Sequence, residues 1–341
     1  MKFETEVGSL SVTAKAPDFF KNEGYLTTFC AESLYMKRIQ NRVAGSRIAL
    51  PVTAVYALLV CLINHLVGQS LWLQLLLLAV STLLMVQLNN INALIRIYSR
   101  MVSCSFLVLM SMVTFIFPGW EQSLTALCFI VFLLIVCYAY QNPRAAGAVF
   151  YAFLFVGVAS IFSVQILYFV PLFWIVLAFN LLAFSGRTFI ASLMGLICPY
   201  WFLLLWFGLS GEMDWYSAHF MALADFYEPL DLSLWTVHQL VSFLFIILLT
   251  LISAVHFFNT SYKDKIRTRM IFEMLLVIAV FTAVLMVLQP TLYDPFVRIL
   301  IISASPLVGH YLALSESRLS NITFIGMLLC VLGLTIWNLW I

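Results

Sequence analysis

Long apolar runs, separated by short polar interruptions, extend from residue 48 to the carboxyl terminus of the chain. Each run is close to the roughly 20 residues that a helix needs to cross the hydrocarbon core of a bilayer. The pattern predicts an all-α, polytopic transmembrane helix bundle with about eleven spans. The predicted spans are 48–67, 71–88, 101–118, 123–140, 145–163, 166–184, 188–210, 239–259, 270–288, 296–314 and 322–340.

The fifth and sixth of these spans are separated only by residues 163–165. A single helix between Arg144 and Arg187 would be about 64 Å long at a rise of about 1.5 Å per residue. This length is about twice the ~30 Å thickness of the hydrocarbon core. Two crossings are therefore predicted in this part of the chain.

The positions of Lys and Arg predict the orientation, because short loops rich in these residues stay in the cytoplasm. With the amino terminus inside, every Lys and Arg except Arg298 falls in an inner segment. Nearly half of the acidic residues then lie in outer segments. The odd number of spans places the carboxyl terminus outside, and membrane lipids surround the protein.

The composition excludes several other classes of protein. The chain of 341 residues is 64% hydrophobic and 9% charged, whereas a soluble domain is about half apolar and about a quarter charged. A net charge of +2, with scattered basic residues, excludes a nucleic acid as partner. The seven cysteines show no CxxC pair, so no zinc site and no disulfide framework are predicted. Nucleotide-binding and zinc-protease motifs are also absent, and we expect no metal and no cofactor.

Two regions are predicted. Residues 1–46 form a mixed polar segment on the cytoplasmic side, and residues 47–341 form the transmembrane domain, with one large outer loop at 211–238. Near the end of the first region, apolar and basic residues recur at helical spacing, as in an amphipathic helix on an anionic membrane surface. A flexible leader is the alternative, and Met36 offers a second start position for the native chain.

The outer loop interleaves aromatic residues with five acids and contains no Lys or Arg. Aromatic faces can stack on sugar rings or cations, while carboxylates accept hydrogen bonds from hydroxyl groups. This pattern predicts a lid or docking platform, with Trp215 and His219 as substrate contacts. Asp214 and Asp225 are candidate catalytic residues, since one of two carboxylates can act as acid and the other as base. The alternative is an interfacial aromatic belt.

The sequence QPTLYDPFVR leads into the tenth span and contains the one basic residue of the outer segments, Arg298. Asp294 before Pro295 is typical of a helix start, with the carboxylate as N-cap. Arg298 follows four residues later, where it can face Asp294. We expect Arg298 to bind an anionic group of a substrate and Asp294 to orient it. An Asp294–Arg298 pair that stabilises the helix end is the alternative.

Two prolines, a glycine and a histidine inside the spans are candidate conformational residues. Pro199 in the seventh span and Pro306 in the tenth each remove a backbone hydrogen bond, which predicts kinks. Such breaks often flank transport cavities, although packing adaptation is the alternative. Gly309 allows another helix to approach closely. His310 lies near the inner end of its span, where it can relay protons or, as the alternative, bond to a carbonyl.

Three segments resemble an uncharacterised family of multi-spanning inner-membrane proteins from Bacteroides-type bacteria. They are LNNINALIRIYSR, FVGVASIF followed by GRTFIASLMGLICPYWFLLLWF, and RILIISASPLVGHYLALSESR. The resemblance covers most of the membrane domain and implies a location in the inner (cytoplasmic) membrane, but it transfers no functional residue. The architecture is also similar to that of lipid-linked glycan polymerases and ligases, which have a comparable number of spans, an enlarged periplasmic loop and periplasmic arginines.

These observations favour translocation or accommodation of an amphiphilic or lipid-linked envelope substrate. In this interpretation Arg298 contacts the anionic group and the 211–238 loop is a lid. One alternative is a polymerase or transferase of lipid-linked glycan on the periplasmic side, with Asp214 or Asp225 as base. Another is a non-catalytic subunit of an envelope complex, whose apolar surface serves for docking.

Overall fold

The computed structural model describes residues 39–65, 72–211, 213–224, 232–315 and 318–340. Within these ranges the secondary structure is helical, with thirteen α-helices joined by short connections and 3₁₀ turns. The α-helices are α1 (Ile39–Ala44), α2 (Ala49–His65), α3 (Trp72–Asn92), α4 (Met101–Met112), α5 (Trp120–Val136), α6 (Ala146–Phe162), α7 (Val170–Phe179), α8 (Gly186–Ser210), α9 (Met213–Met221), α10 (Val237–Thr260), α11 (Ile266–Leu288), α12 (Tyr293–Leu314) and α13 (Arg318–Leu339).

The predicted all-α architecture is confirmed, and a helix occupies each of the predicted apolar runs. In the described part of the chain, seven helical segments are long and apolar enough to cross a membrane. They contain α3, α5, α8 and α10 to α13. The helices α2, α4, α6 and α7 are apolar but shorter. The chain therefore has the helices of a multi-pass membrane protein, while the number of crossings stays a prediction.

The break predicted between the fifth and sixth runs is present. The helix α6 ends at Phe162, and Ser163 has an extended backbone with φ −144° and ψ 91°. A 3₁₀ turn over Val164–Phe169 then leads into α7. Extended backbone at Ser163 interrupts the α-helical hydrogen bonding, so the long apolar stretch forms two separate helices.

Two helices begin slightly earlier than the apolar pattern predicts, because polar residues cap them. Ser185 and Thr188 form a capping box at the start of α8. Thr236 and Gln239 form the same arrangement before α10. In each case the two side chains satisfy backbone N–H groups that have no partner within the helix. The two helices therefore start at Gly186 and Val237, within the polar sequence that flanks each run.

The core of the molecule is built around α12, in which every residue from Phe296 to Ala313 is buried. This helix packs against α4, α5, α10 and α11. The closest approach is to α4: a Cβ atom added at Gly309 would lie 2.8 Å from the backbone N and Cα of Val102. The predicted close approach at Gly309 is therefore confirmed, and its partner is α4.

A second intimate contact joins α6 to α8. A Cβ atom added at Gly157 would lie 2.7 Å from the carbonyl oxygen of Leu196, and one at Gly195 would overlap the carbonyl oxygen of Phe150. Small residues allow helix backbones to approach closely where lipid offers no hydrophobic driving force. The other side of α8 is exposed, including Trp206.

The connections between helices gather at two ends of the bundle, which we name after Asp264 and Arg298. At the Asp264 end, Gln40 Nε2 donates to the carbonyl oxygen of Leu312 at 2.9 Å. At the Arg298 end, Trp235 Nε1 donates to the carbonyl oxygen of Pro290 at 2.8 Å. Arg267 near the start of α11 donates to Asn92 Oδ1 at the end of α3 and to the carbonyl oxygen of Cys137 after α5, so these three connections lie at the Asp264 end.

Candidate functional site

A buried ionic cluster lies at the Asp264 end of α12. Nε2 of His310 is 3.0 Å from Oδ2 of Asp264, and both side chains are 0% exposed. Nε of Arg96 is 2.9 Å from the other carboxylate oxygen, Oδ1, and the Arg96 side chain is 36% exposed. The Asp264 carboxylate is therefore shared between a fully buried imidazole and a guanidinium that reaches solvent.

Local structure explains how each charged group reaches this position. Asp264 follows the 3₁₀ turn Ser261–Lys263 and donates its backbone N–H to the carbonyl oxygen of Ser261 at 2.9 Å. Its neighbours in sequence, Lys263 and Lys265, are exposed. The chain thus turns the single acid of this connection inward and leaves the two lysines at the surface, where their charges stay hydrated.

Arg96 belongs to the connection between α3 and α4. This connection leaves α3 through Ala93, which has a φ of 47°, a left-handed conformation typical of helix ends. Asn89 Nδ2 donates to the carbonyl oxygen of Ser99 at 3.0 Å. The hydrogen bond closes the connection over the end of α3 and holds Arg96 beside Asp264.

Aromatic side chains surround His310. Its ring centre lies 4.9 Å from that of Phe272, 5.7 Å from that of Phe257 and 5.9 Å from that of His256. Both phenylalanines are 0% exposed. Apolar walls strengthen the electrostatic interactions between the charged groups that they enclose.

Hydrogen bonding fixes the tautomer of a neutral His310. A carboxylate can only accept hydrogen bonds, so His310 Nε2 must carry the hydrogen that points to Asp264. Nδ1 of the ring is then a bare acceptor, and it is buried without a hydrogen-bond partner in the described structure. Nδ1 of His256 is also buried without a partner. Each neutral imidazole has one unprotonated nitrogen, so each of the two rings can take up a proton.

Sequence reasoning identified His310 but missed Asp264 and Arg96. The predicted alternatives for His310 were proton relay and a bond to a carbonyl, whereas its partner is a carboxylate. Asp264 is a single acid between two lysines. This change of charge was the one signal in the sequence that set Asp264 apart. The cluster brings together the α3–α4 connection, the α10–α11 connection and α12, which are far apart in sequence. Composition and spacing therefore could not predict it.

Arg298 lies at the opposite end of α12 and is 2% exposed. Its Nη1 donates to Ser123 Oγ at 2.8 Å, and its Nη2 donates to the carbonyl oxygens of Gly119, at 3.2 Å, and Ile116. Nε has no partner in the described structure. The guanidinium thus ties α12 to α5 and to the turn before it, and its role as a substrate contact stays a prediction.

Asp294 does not cap α12, so that expectation is wrong. The helix begins at Tyr293, the N-cap position is Leu292, and no side chain bonds there. The reason is the 3₁₀ turn Pro290–Leu292, which leads directly into the helix. Asp294 is therefore inside the first turn and half-buried, and it forms no ion pair with Arg298 in the described residues.

The two prolines interrupt neither helix. The helix α8 continues through Pro199, and α12 continues through Pro306. Pro199 contacts the position that a Cβ atom at Gly157 would occupy, at 3.0 Å. Before Pro306, Ser303 Oγ donates to the carbonyl oxygen of Ile299 at 2.8 Å. Pro199 thus forms part of the α6–α8 contact, and Pro306 lies in the fully buried centre of α12.

Part of the predicted outer loop forms α9, which packs against α8. His219 Nε2 lies 3.3 Å from Tyr200 Oη, which is 2.8 Å from Ser160 Oγ. Burial lowers the pKa of His219. Asp214 is exposed on α9. Trp215 belongs to α9, but the structure describes only its backbone. Asp225 lies outside the described residues.

The described residues contain no group of three or more His, Cys, Asp or Glu side chains placed to hold a metal ion. The charged and titratable groups of the ionic cluster can exchange protons and attract charged groups. No protein-family model, curated protein or solved structure matches the chain.

Proposed function

We propose that the protein resides in the inner membrane and translocates or accommodates an amphiphilic, including lipid-linked, envelope substrate. The observation that carries this proposal is the placement of ionisable side chains at both ends of the enclosed helix α12. His310 with Asp264 lies at one end, and Arg298 lies at the other. Ionisable residues within membrane-spanning bundles are costly and commonly mark ion or substrate pathways.

The proposed topology has eleven crossings, with the amino terminus inside. The described contacts support it: Arg267 joins the ends of α3 and α5, and Arg298 reaches the connection between α4 and α5. Among the described side chains, Arg96, Lys263, Lys265 and Arg267 belong to the connections at the Asp264 end, whereas Arg298 lies at the opposite end. Lys and Arg are retained on the cytoplasmic side, so the Asp264 end faces the cytoplasm in this proposal.

An amphiphilic substrate fits the outer end of α8. Trp201, Phe202 and Trp206 are exposed on this helix, and α9 follows directly with its polar residues Asp214 and His219. An apolar face that leads to aromatic and polar side chains matches a molecule with an acyl chain and a polar head. This arrangement supports a lipid-like substrate over a small polar solute.

A reconstitution experiment tests the proposal. Purified protein is incorporated into vesicles of phosphatidylethanolamine and phosphatidylglycerol that contain a fluorescent phosphatidylethanolamine tracer. Movement of the tracer between leaflets is followed by its accessibility to dithionite. We expect faster movement than in protein-free vesicles, and movement no faster than in those vesicles would contradict the proposal.

Two variants sharpen this experiment. Pro306→Ala changes the buried centre of α12 and is expected to slow tracer movement, while Pro171→Ala is the matched control at the start of α7. Asp214→Asn is expected to leave the movement unchanged, because Asp214 is exposed on α9. If Asp214→Asn instead abolished formation of a glycan product in cells at normal protein level, the transferase alternative would replace this proposal.

A further inference from the structure

Each of the two histidines at the Asp264 end has a buried ring nitrogen without a hydrogen-bond partner in the described structure. His310 is completely buried, and its Nδ1 has no partner among the described residues. His256 is half-buried, and its Nδ1 is also without a partner. A buried polar atom without a hydrogen bond destabilises the fold. Two such atoms on neighbouring rings point to a role beyond packing.

We propose that His310 and His256 form a proton-binding site whose charge is balanced by Asp264. This inference rests on the proposed function, since it identifies the proton as the ion that is coupled to substrate movement. A hydronium ion from the cytoplasmic side transfers its proton to a bare Nδ1 lone pair and leaves as water. The imidazole becomes an imidazolium, and no other bond is made or broken.

The charge balance of the cluster supports uptake of one proton. With both histidines neutral, the charges of Arg96 and Asp264 cancel. One added proton creates a single net positive charge, and the Asp264 carboxylate is 3.0 Å from the His310 ring nitrogen that would share it. The 5.9 Å between the imidazole centres makes a second proton unfavourable, because like charges at that distance repel.

The groups around His310 on each neighbouring element set its proton affinity. The α10–α11 connection contributes the Asp264 carboxylate, the α3–α4 connection contributes Arg96, and α10 contributes His256. On α12 itself Tyr311 contacts the His256 ring, with centres 5.2 Å apart. The helix α4 contributes the backbone of Met101 and Val102 at Gly309, and α11 contributes Phe272. Asp264 attracts the proton, whereas Arg96 repels it.

A route for the proton is visible at the same end. The Arg96 side chain is 36% exposed, whereas the Asp264 carboxylate beside it is fully buried. His256 is half-buried, whereas His310 is sealed by Phe257 and Phe272. In this proposal the proton therefore enters by way of His256 and is shared with the more buried His310.

Nitrogen-15 NMR of histidine-labelled protein in lipid nanodiscs tests the site directly, without any substrate. The ring nitrogens of His310 and His256 are assigned with His310→Gln and His256→Gln, and spectra are recorded from pH 4 to pH 8. We expect one proton to be taken up by the pair within this range. A constant tautomer and constant shifts for both rings throughout the range would overturn the inference.

Two charge variants give opposite expectations. Asp264→Asn removes the attracting charge and should lower the titration midpoint of the pair by about one pH unit or more. Arg96→Gln removes the repelling charge and should raise the midpoint. His238→Gln is the matched control, because His238 lies at the Arg298 end beside Asn338. Equal midpoints in all three variants would overturn the inference, and Arg96→Gln keeps it testable if Asp264→Asn fails to fold.

The test separates this inference from the proposed function. Proton uptake in nanodiscs without any tracer movement in vesicles would refute translocation and leave the proton site standing. Tracer movement without proton uptake by the pair would refute the proton site and leave translocation standing. When both occur, an inward pH gradient should alter tracer movement in the wild type but not in His310→Gln.

Discussion

At the scale of single residues, Gly309 shows how one missing side chain sets the packing of the core. The absence of a Cβ atom allows α12 to rest directly on the backbone of α4 at Val102. Backbone atoms cannot move aside as the end of a flexible side chain can. A Cβ atom at this position would therefore overlap the backbone of α4, and the close contact between α12 and α4 depends on the glycine.

We predict that Gly309→Ala destabilises the protein by about 1–3 kcal/mol, the usual range for overpacking a core. The matched control is Gly333→Ala on α13, where a Cβ atom would meet nothing within 4 Å. There, alanine should leave stability unchanged or raise it by up to ~1 kcal/mol through helix propensity. Thermal unfolding in detergent measures both effects, and equal losses for the two variants would contradict the packing argument.

A second prediction concerns Arg298. Its guanidinium donates to Ser123 Oγ and to the carbonyl oxygens of Gly119 and Ile116, and Arg298→Ala would remove all of these bonds between α12 and the start of α5. We expect a loss of about 1–3 kcal/mol in stability. Ser123→Ala removes one bond to Arg298 and the bond from Ser123 Oγ to Gly119, keeps the other bonds of the guanidinium, and should cost less.

The same unfolding measurement in detergent checks the Arg298 prediction. Arg298→Lys should recover only part of the loss, because an ammonium cannot reproduce the planar guanidinium fork. If Arg298→Ala had wild-type stability but lost affinity for an amphiphile, the guanidinium would be a substrate contact and not a structural clamp.

At the scale of helices, hydropathy predicted where the elements lie but not what surrounds them. The helices α8 and α12 are both long and apolar, yet α12 is almost completely enclosed and α8 is largely exposed. Lipid and protein interior are equally apolar, so hydropathy cannot distinguish the two environments. The partners of His310 and Arg298 were hidden for the same reason: they depend on which helices enclose α12.

The contact between α9 and α8 is predicted to weaken in acid. Burial holds the pKa of His219 below its ordinary value of 6.5, so the folded state disfavours the charged ring. The contribution of neutral His219 is complete above about pH 6.5 and is lost as the pH falls below that value, because the unfolded state then binds more protons.

Hydrogen–deuterium exchange over residues 213–221, corrected for the intrinsic rate, measures this effect. Protection should fall between about pH 7 and pH 5 in the wild type and should be independent of pH in His219→Gln. Tyr200→Phe removes the hydroxyl that contacts His219 and should lower protection even at neutral pH. Equal acid sensitivity in His219→Gln would assign the effect to another group.

At the scale of the whole molecule, the proposed orientation makes a separate prediction. Alkaline phosphatase fused after Ile341 should be active, because this enzyme folds only outside the cytoplasm, and the same reporter inserted after Lys265 should be inactive. A fluorescent reporter that folds only in the cytoplasm should show the reverse pattern. Activity of the phosphatase at both positions would contradict the proposed crossing number, because that number places the two sites on opposite sides.

The enclosure of α12 also has a consequence for biogenesis. The helices α4 and α5, which form part of its surroundings, leave the ribosome long before α12 is synthesised. Until α12 arrives, Asp264 lacks His310, and Ser123 and Gly119 lack Arg298. The earlier helices can therefore reach their native packing only after this late segment has been synthesised.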